Sequence, residues 1–180
     1  MSNPFELLGL SPSFAIDAEL LEQRQRELNR ALHPDRHAGK TSGERREALG
    51  RSMDVNRAYR TLRDPASRAE ALFEVLGESW NSERTVTDPT LLGEMLEQRE
   101  RLDEMRRNKD MESLRGLGRE MRVREGALVE QMAQAFQPLT DALPTRGNNR
   151  PQLATVRRLL TELRYVHRFI EEVAAIEDEM

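Results

Sequence analysis

The side chains best equipped for chemistry are His33 and Asp35, with His37 one helical turn beyond the first histidine. Two such histidines and a carboxylate could begin a metal site, yet Pro34 denies the backbone a donor and breaks the helix that would align them. The only other histidine is His167. His33 could also serve as a general base oriented by Asp35. Nothing nearby supplies a nucleophile, a phosphate-binding loop or an oxyanion arrangement, and a base without them catalyses little. The cluster therefore points to contact with another molecule. No metal, no cofactor and no enzymatic activity are expected.

What positions this cluster is the run before it. From Asp17, which caps, residues 18–32 carry Leu20, Leu21, Leu28, Ala31 and Leu32 at helical spacing, with Arg24, Arg26 and Arg30 on the outer surface. By spacing alone those arginines could equally be an ordinary solvated face, and Glu27 among them dilutes the charge. Pro34 pushes His33 out of the α region, so the helix ends near Leu32 and delivers His33, Pro34, Asp35 and Arg36 on a stiff loop.

The three residues His33-Pro34-Asp35 would occur by chance in roughly one chain in a hundred of this length, given ordinary residue frequencies. Their context carries more weight. Asn3-Pro4-Phe5-Glu6-Leu7-Leu8-Gly9-Leu10 lies upstream, and a stretch beginning Asn56-Arg57-Ala58-Tyr59-Arg60-Thr61-Leu62-Arg63-Asp64-Pro65 and running on to Leu72 lies downstream. Together these segments resemble the J-domain, and the downstream stretch resembles the HscB-type J-proteins of iron-sulfur cluster assembly.

The whole chain reads as all-α. Asn3, Pro4 and Gly9 bound a brief first helix, and residues 36–43 form a loop. A third helix follows over 44–62, its inner edge traced by Leu49, Met53, Asn56, Tyr59 or Arg60, and Arg63, with Val55, Ala58 and Leu62 as a neighbouring apolar line. It packs antiparallel to the basic helix as a hairpin whose tip is the His33 loop. Asp64-Pro65 opens a fourth helix that Gly77 stops. Periodicity fails over 77–88, where Trp80 and Val86 could still pack, so the expected division is residues 1–76 as the J-domain, 77–88 as linker and 89–180 as an antiparallel three-helix bundle. The bundle helices are expected from Asp88-Pro89 to about Arg107, from about Lys109 to Gln137, and from Pro151 towards the tail, with a loop over 138–150. Gly116, Gly118 and Gly126 in the middle helix predict a bend or a close helix contact.

In the first bundle helix Leu91, Met95, Leu102 and Met105 form a stripe sufficient to bury it. Leu92 and Leu96 fall beside that stripe, with Glu97, Glu100 and Glu104 on the adjoining surface. Apolar anchors beside an acidic row suit a partner with exposed apolar groups and Lys or Arg. Spacing alone would also allow a wide apolar face for the bundle itself.

The resemblance implies more. HscB-like proteins use the J-domain to stimulate an HscA- or DnaK-type ATPase chaperone and the bundle to bind the cluster scaffold IscU. Carried over by position, His33, Pro34, Asp35, Arg24, Arg26, Arg30 and Arg36 would engage the chaperone. Leu92, Leu96, Glu97, Glu100, Glu104 and, on the last helix, Tyr165 would engage the scaffold. Gly93 departs from the pattern, where the family tends to place a second bulky apolar residue. A J-protein serving another client, or a helical adaptor without chaperone activity, remain as alternatives.

Bulk properties agree with a binding protein. With 37% apolar, 33% charged and 4% aromatic residues among 180, the chain suits slender helices better than an enzyme with a deep pocket. A net charge of −4 exerts no general pull on nucleic acid or anionic lipid. Cysteine is absent, which excludes disulfides and thiolate metal sites. No apolar run approaches the ~20 residues needed to span a bilayer. A cytoplasmic protein is expected, and nothing demands more than a monomer.

Overall fold

The computed structural model describes residues 3–37, 39, 41–78, 89–141 and 150–179. They form seven α-helices and one 3-10 turn: α1 (Pro4–Leu7), α2 (Ala18–Ala31), the turn Pro34–His37, α3 (Ser42–Arg63), α4 (Pro65–Val75), α5 (Pro89–Asn108), α6 (Met111–Asp141) and α7 (Arg150–Glu179). Among the described residues there is no strand, and the architecture is all-α as the periodicity predicts. The chain divides into two compact units, residues 1–80 with 139–145 and residues 81–138 with 146–180. The expected packing of Trp80 and Val86 lies outside the described residues.

Capping chemistry sets most helix ends in the first unit. Asn3 and Asp17 accept backbone N–H groups at the starts of α1 and α2. Gly9 and Gly77, at φ 65° and 78°, take the left-handed conformation that ends α1 and α4. In both cases the residue after the glycine donates back to Phe5 or Phe73, the bond pattern of a Schellman cap. Thr41 and Glu44 form a reciprocal capping box, so α3 begins at Ser42. Ser42 and Gly43 are therefore helical, where a loop to 43 was expected.

The core of this unit comprises Phe5, Leu8, Phe14, Leu21, Ala48, Val55, Ala58, Leu62, Ala69, Leu72 and Phe73. Two expectations about its lining fail. In α3 the buried line is Ala48, Val55, Ala58 and Leu62, whereas Leu49 and Met53 are 58% and 59% exposed. In α2 only Leu21 is fully buried, and Leu20 and Ala31 face solvent. The cause is the ridge along which the two helices meet. Asn56 accepts from Gln25 (3.0 Å) and Asn29 (2.8 Å), and Ser52 donates to Asn29 (3.1 Å). This amide ladder takes the place of an apolar seam along that ridge, and α3 buries the side that lies towards α1 and α4.

Arg68 closes the unit. Its guanidinium donates to the carbonyls of Leu62 (2.7 Å), Phe14 (2.7 Å) and Arg63 (3.3 Å) and lies over the Phe14 ring, 5.2 Å from its centroid. Burial lowers its pKa, with Asp64 opposing. The fork satisfies carbonyls at the end of α3 that have no helical partner.

In the second unit, partners in α5 and α6 run in opposite order, Glu94 to Arg124 and Arg101 to Glu120, so these helices are antiparallel. Partners in α5 and α7 run in the same order, Arg99 to Glu172 and Arg106 to Glu179, so α7 is parallel to α5. Its core includes Leu102, Leu114, Met121, Met132, Phe136, Val156, Leu163, Val166 and Ile170. A Cβ on Gly118 would stand 3.2 Å from Val173, whereas at Gly126 it would meet open space, so the close approach of α6 and α7 centres on Gly118. The helix α6 continues through Pro138 to Asp141, past the expected end at Gln137. Pro138 falls in the last turn, where its missing N–H forfeits a single helical bond.

Arg68→Met should lower the unfolding free energy by about 2–3 kcal/mol, because it strands buried carbonyls as well as removing charge-assisted bonds. Arg68→Lys should recover little of this, since an ammonium cannot reproduce the fork. Denaturant titration followed by circular dichroism measures both.

Candidate functional site

The C-cap of α2 is Leu32, one residue short of His33. His33 accepts the Asp35 backbone N–H at Nδ1 (3.3 Å), and its carbonyl accepts from the Arg36 N–H (3.0 Å). The Asp35 carboxylate lies 3.5 Å from the same ring nitrogen. These local bonds wind the backbone into the 3-10 turn that Pro34 begins. The His33 and Asp35 side chains are 58% and 91% exposed, and Arg36 is also exposed. The turn packs against α3, so a rigid hairpin carries it. Among the described residues no cluster of three or more His, Asp or Glu could hold a metal ion.

The arginines expected to share a face do not all share one. A helix advances ~100° per residue, so Arg26 and Arg30 lie ~40° apart and Arg24 lies well over 90° from either. Arg24 pairs instead with Glu27 at 3.4 Å. Arg26 and Arg30 are exposed and form no ion pair among the described residues. The contribution of α2 to the positive edge is thus Arg26 and Arg30, beside Arg36 in the turn.

On α5 the stripe of Leu91, Met95, Leu102 and Met105 turns inward, with Leu91 and Leu102 buried and the methionines half-buried. Leu92 and Leu96 stand out at 49% and 58% exposure, and Glu97, Glu100 and Glu104 are exposed beside them. A Cβ at Gly93 would meet nothing within 4 Å, so the surface next to Leu92 is open. Tyr165 on α7 is brought to the same place. Its hydroxyl donates to the Met95 carbonyl at 2.9 Å, and its ring lies 5.8 Å from that of Phe169.

Two supports for this helix escape the sequence pattern. Arg124, from α6, donates to Glu94 on α5 (2.7 Å) and to Glu162 on α7 (2.6 and 2.9 Å), tying three helices at one point. Burial alone would lower its pKa, but hydrogen bonds to the two carboxylates outweigh that and raise it. Arg99 pairs with Glu172. Charged residues on different helices, far apart in sequence, carry no periodic signal, and only the packed bundle reveals them.

Burial raises the Tyr165 pKa, with the positive charges of Arg99 and Arg124 opposing. A raised folded-state value means that the stability tied to this phenol is complete below pH ~10 and is lost as pH climbs through the folded value. Absorbance titration of the phenolate should therefore show a component ionising above ~10 that Tyr165→Phe removes. The same variant should lose about 1 kcal/mol of stability at neutral pH with the bond to Met95.

The family model described as the HSCB C-terminal oligomerisation domain matches residues 87–174. A co-chaperone protein HscB homolog from Neisseria meningitidis serogroup B is 38% identical over 137 residues, covering 76% of this chain and 82% of the relative. The corresponding homolog from Haemophilus influenzae is 29% identical over 180 residues, covering 99% and 97%. Among solved structures, chaperone HscB from Vibrio cholerae superposes with a TM-score of 0.77 at 27% identity and 99% coverage of both chains. The human co-chaperone protein HscB shares the fold, with a TM-score of 0.81 at 22% identity over 97% of this chain and 82% of that one. An exposed His-Pro-Asp tip on one unit, a helical bundle on the other, and similarity of this extent establish that the chain belongs to the HscB family of co-chaperones.

Proposed function

We propose that the chain stimulates ATP hydrolysis by an HscA- or DnaK-type chaperone through its first unit and delivers the cluster scaffold IscU through its second, assisting maturation of iron-sulfur proteins. The observation that carries this reading is that two solvent-facing contact surfaces stand on separate units, His33 with Asp35 on one and Leu92 with Leu96 on the other. Residues 1–76 form the chaperone-engaging domain in this reading, 77–88 the linker and 89–180 the scaffold-binding bundle.

Arg26 and Arg30, with Arg24 and Arg36 contributing more diffusely, attract an acidic face of the ATPase, a steering that salt weakens. Asp35 then engages a chaperone arginine, a pairing that is directional when bidentate. His33 buttresses the contact, and Pro34 restricts the turn. The chain makes and breaks no bond. It binds the hydrolysis-competent state of the ATPase better than the alternative and so raises that state's population. Leu92 and Leu96 supply the apolar anchors for IscU, Glu97, Glu100 and Glu104 face its basic groups, and Tyr165 braces the surface from α7. One chain carries both contacts, so a monomer suffices. Among the described residues no helix is long and apolar enough to cross a membrane, and we place the protein in the cytoplasm with its partners.

The open space at Gly93 favours a second reading, in which the same ATPase activation serves a different client. Two variants separate the functions. His33→Gln should abolish stimulation of an HscA-type ATPase in a phosphate-release assay while IscU binding persists, and equal stimulation by variant and wild type would remove the chaperone assignment. Leu92→Ala with Leu96→Ala should weaken IscU binding by tenfold or more in calorimetric titration, the loss typical of truncating two central anchors, while leaving IscU-independent ATPase stimulation intact. Unchanged affinity would favour the other-client reading.

A further inference from the structure

Two rows of opposite charge run along the outside of the second unit. On α5 the row is Glu97, Glu100 and Glu104, preceded by Gly93 and Leu96; on α6 it is Arg115, Arg119 and Arg122, followed by Val123 and Gly126. At ~100° per residue each set of five falls within an arc of ~100°, so each is a single face. All ten residues are exposed. Val123, at 74%, is the most exposed large apolar side chain among the described residues. The three glutamates, Arg119 and Arg122 form no ion pair among the described residues, and Arg115 reaches only Glu177, at 4.0 Å. A Cβ at Gly93 or Gly126 would meet nothing within 4 Å, so neither glycine makes room for a neighbour in its own chain.

The spacings interlock in one direction. Read forwards, the glutamates step by three and then by four; read backwards, the arginines do the same. An antiparallel register that sets Glu97 level with Arg122 therefore also sets Glu100 level with Arg119, Glu104 with Arg115, Leu96 with Val123 and Gly93 with Gly126. A parallel alignment leaves the middle charge pair one residue out of step. Within one chain the two helices already meet along other sides, through Glu94 with Arg124 and Arg101 with Glu120, so the two rows can face each other only between copies.

We infer that α6 of one copy docks antiparallel on α5 of a second copy, so that self-association closes the surface proposed above to bind the scaffold. The masking rests on that scaffold reading and adds a regulation to it. Opposite charge at three successive levels selects the second copy, the facing glycines let the backbones approach, and an arginine is long enough to reach across the seam. Each copy uses two different faces, so copies add head to tail, and an open assembly leaves one α5 free. A contact of one helix face is small and hence weak, and the monomer remains the form that binds IscU.

Sedimentation of the wild type at rising concentration should show self-association that an equivalent of IscU reverses. Arg119→Glu with Arg122→Glu should raise the self-association constant for dissociation at least tenfold while IscU binding by the monomer is unchanged. Glu97→Arg with Glu100→Arg should weaken it as much, and an equimolar mixture of the two reversed proteins should associate again, which misfolding cannot produce. Gly126→Leu should raise the Tm, because leucine favours a helix and meets open space there, yet weaken association by filling the seam. A wild type that stays monomeric up to ~1 mM, reversed variants that associate as the wild type does, or a mixture that fails to associate would overturn the inference and leave the scaffold reading standing. Association that persists with IscU bound would overturn the masking. Absence of IscU binding by the wild type, with mixing still restoring association, would overturn the scaffold reading and leave the docking of α6 on α5 standing.

Discussion

The amide ladder of Gln25, Asn29, Ser52 and Asn56 is the constraint on which the first unit turns. An apolar seam tolerates sliding, because one methyl group contacts another about as well one residue further on. Hydrogen bonds between side chains at fixed positions do not, since a shifted register leaves donors and acceptors without partners in a half-buried place. The ladder therefore fixes how far α2 runs along α3, and with it where His33 emerges. The short bonds within the turn then need to order only a few residues.

The second unit meets a related demand differently. Leu92 and Leu96 are presented on a helix whose own inward stripe is thin, with Leu91 and Leu102 buried and Met95 and Met105 only half so. Such a stripe would hold α5 weakly. Arg124 adds a grip on α5 at Glu94, and Tyr165 adds another at the Met95 carbonyl, both between Leu92 and Leu96 in the chain. A preorganised surface loses less conformational freedom on binding, so this bracing favours recognition as well as stability.

Much of this was legible in the residue pattern. Asp17, Pro34, Gly9, Gly77 and Asp64 mark helix ends by chemistry that acts within a few residues, and those ends fall where expected. The solvent-facing position of Leu92 and Leu96 followed from their place beside a complete inward stripe. The inner edge of α3 was misread because Leu49 and Met53 are the bulkiest apolar residues at suitable spacing. The buried positions go instead to the neighbouring line of Val55, Ala58 and Leu62, which the spacing also offered, extended by Ala48. Which line turns inward depends on the amides that α2 offers, and that is a tertiary fact. Likewise Ser42 and Gly43 look like loop residues until Thr41 and Glu44 cap each other. Arg68 gave no sign of its role, since an arginine near a helix start is ordinary until three carbonyls converge on it.

The two units are also fastened by different kinds of bond. Neutral amides and main-chain oxygens hold α2 to α3 and receive Arg68, whereas α5, α6 and α7 are laced by Arg99 to Glu172, Arg101 to Glu120, Arg106 to Glu179 and Arg124 to two carboxylates. Dissolved ions weaken the second kind and barely touch the first. Ionic strength is thus a dial that slackens the lacing of one half of the molecule while leaving the other half's geometry unchanged.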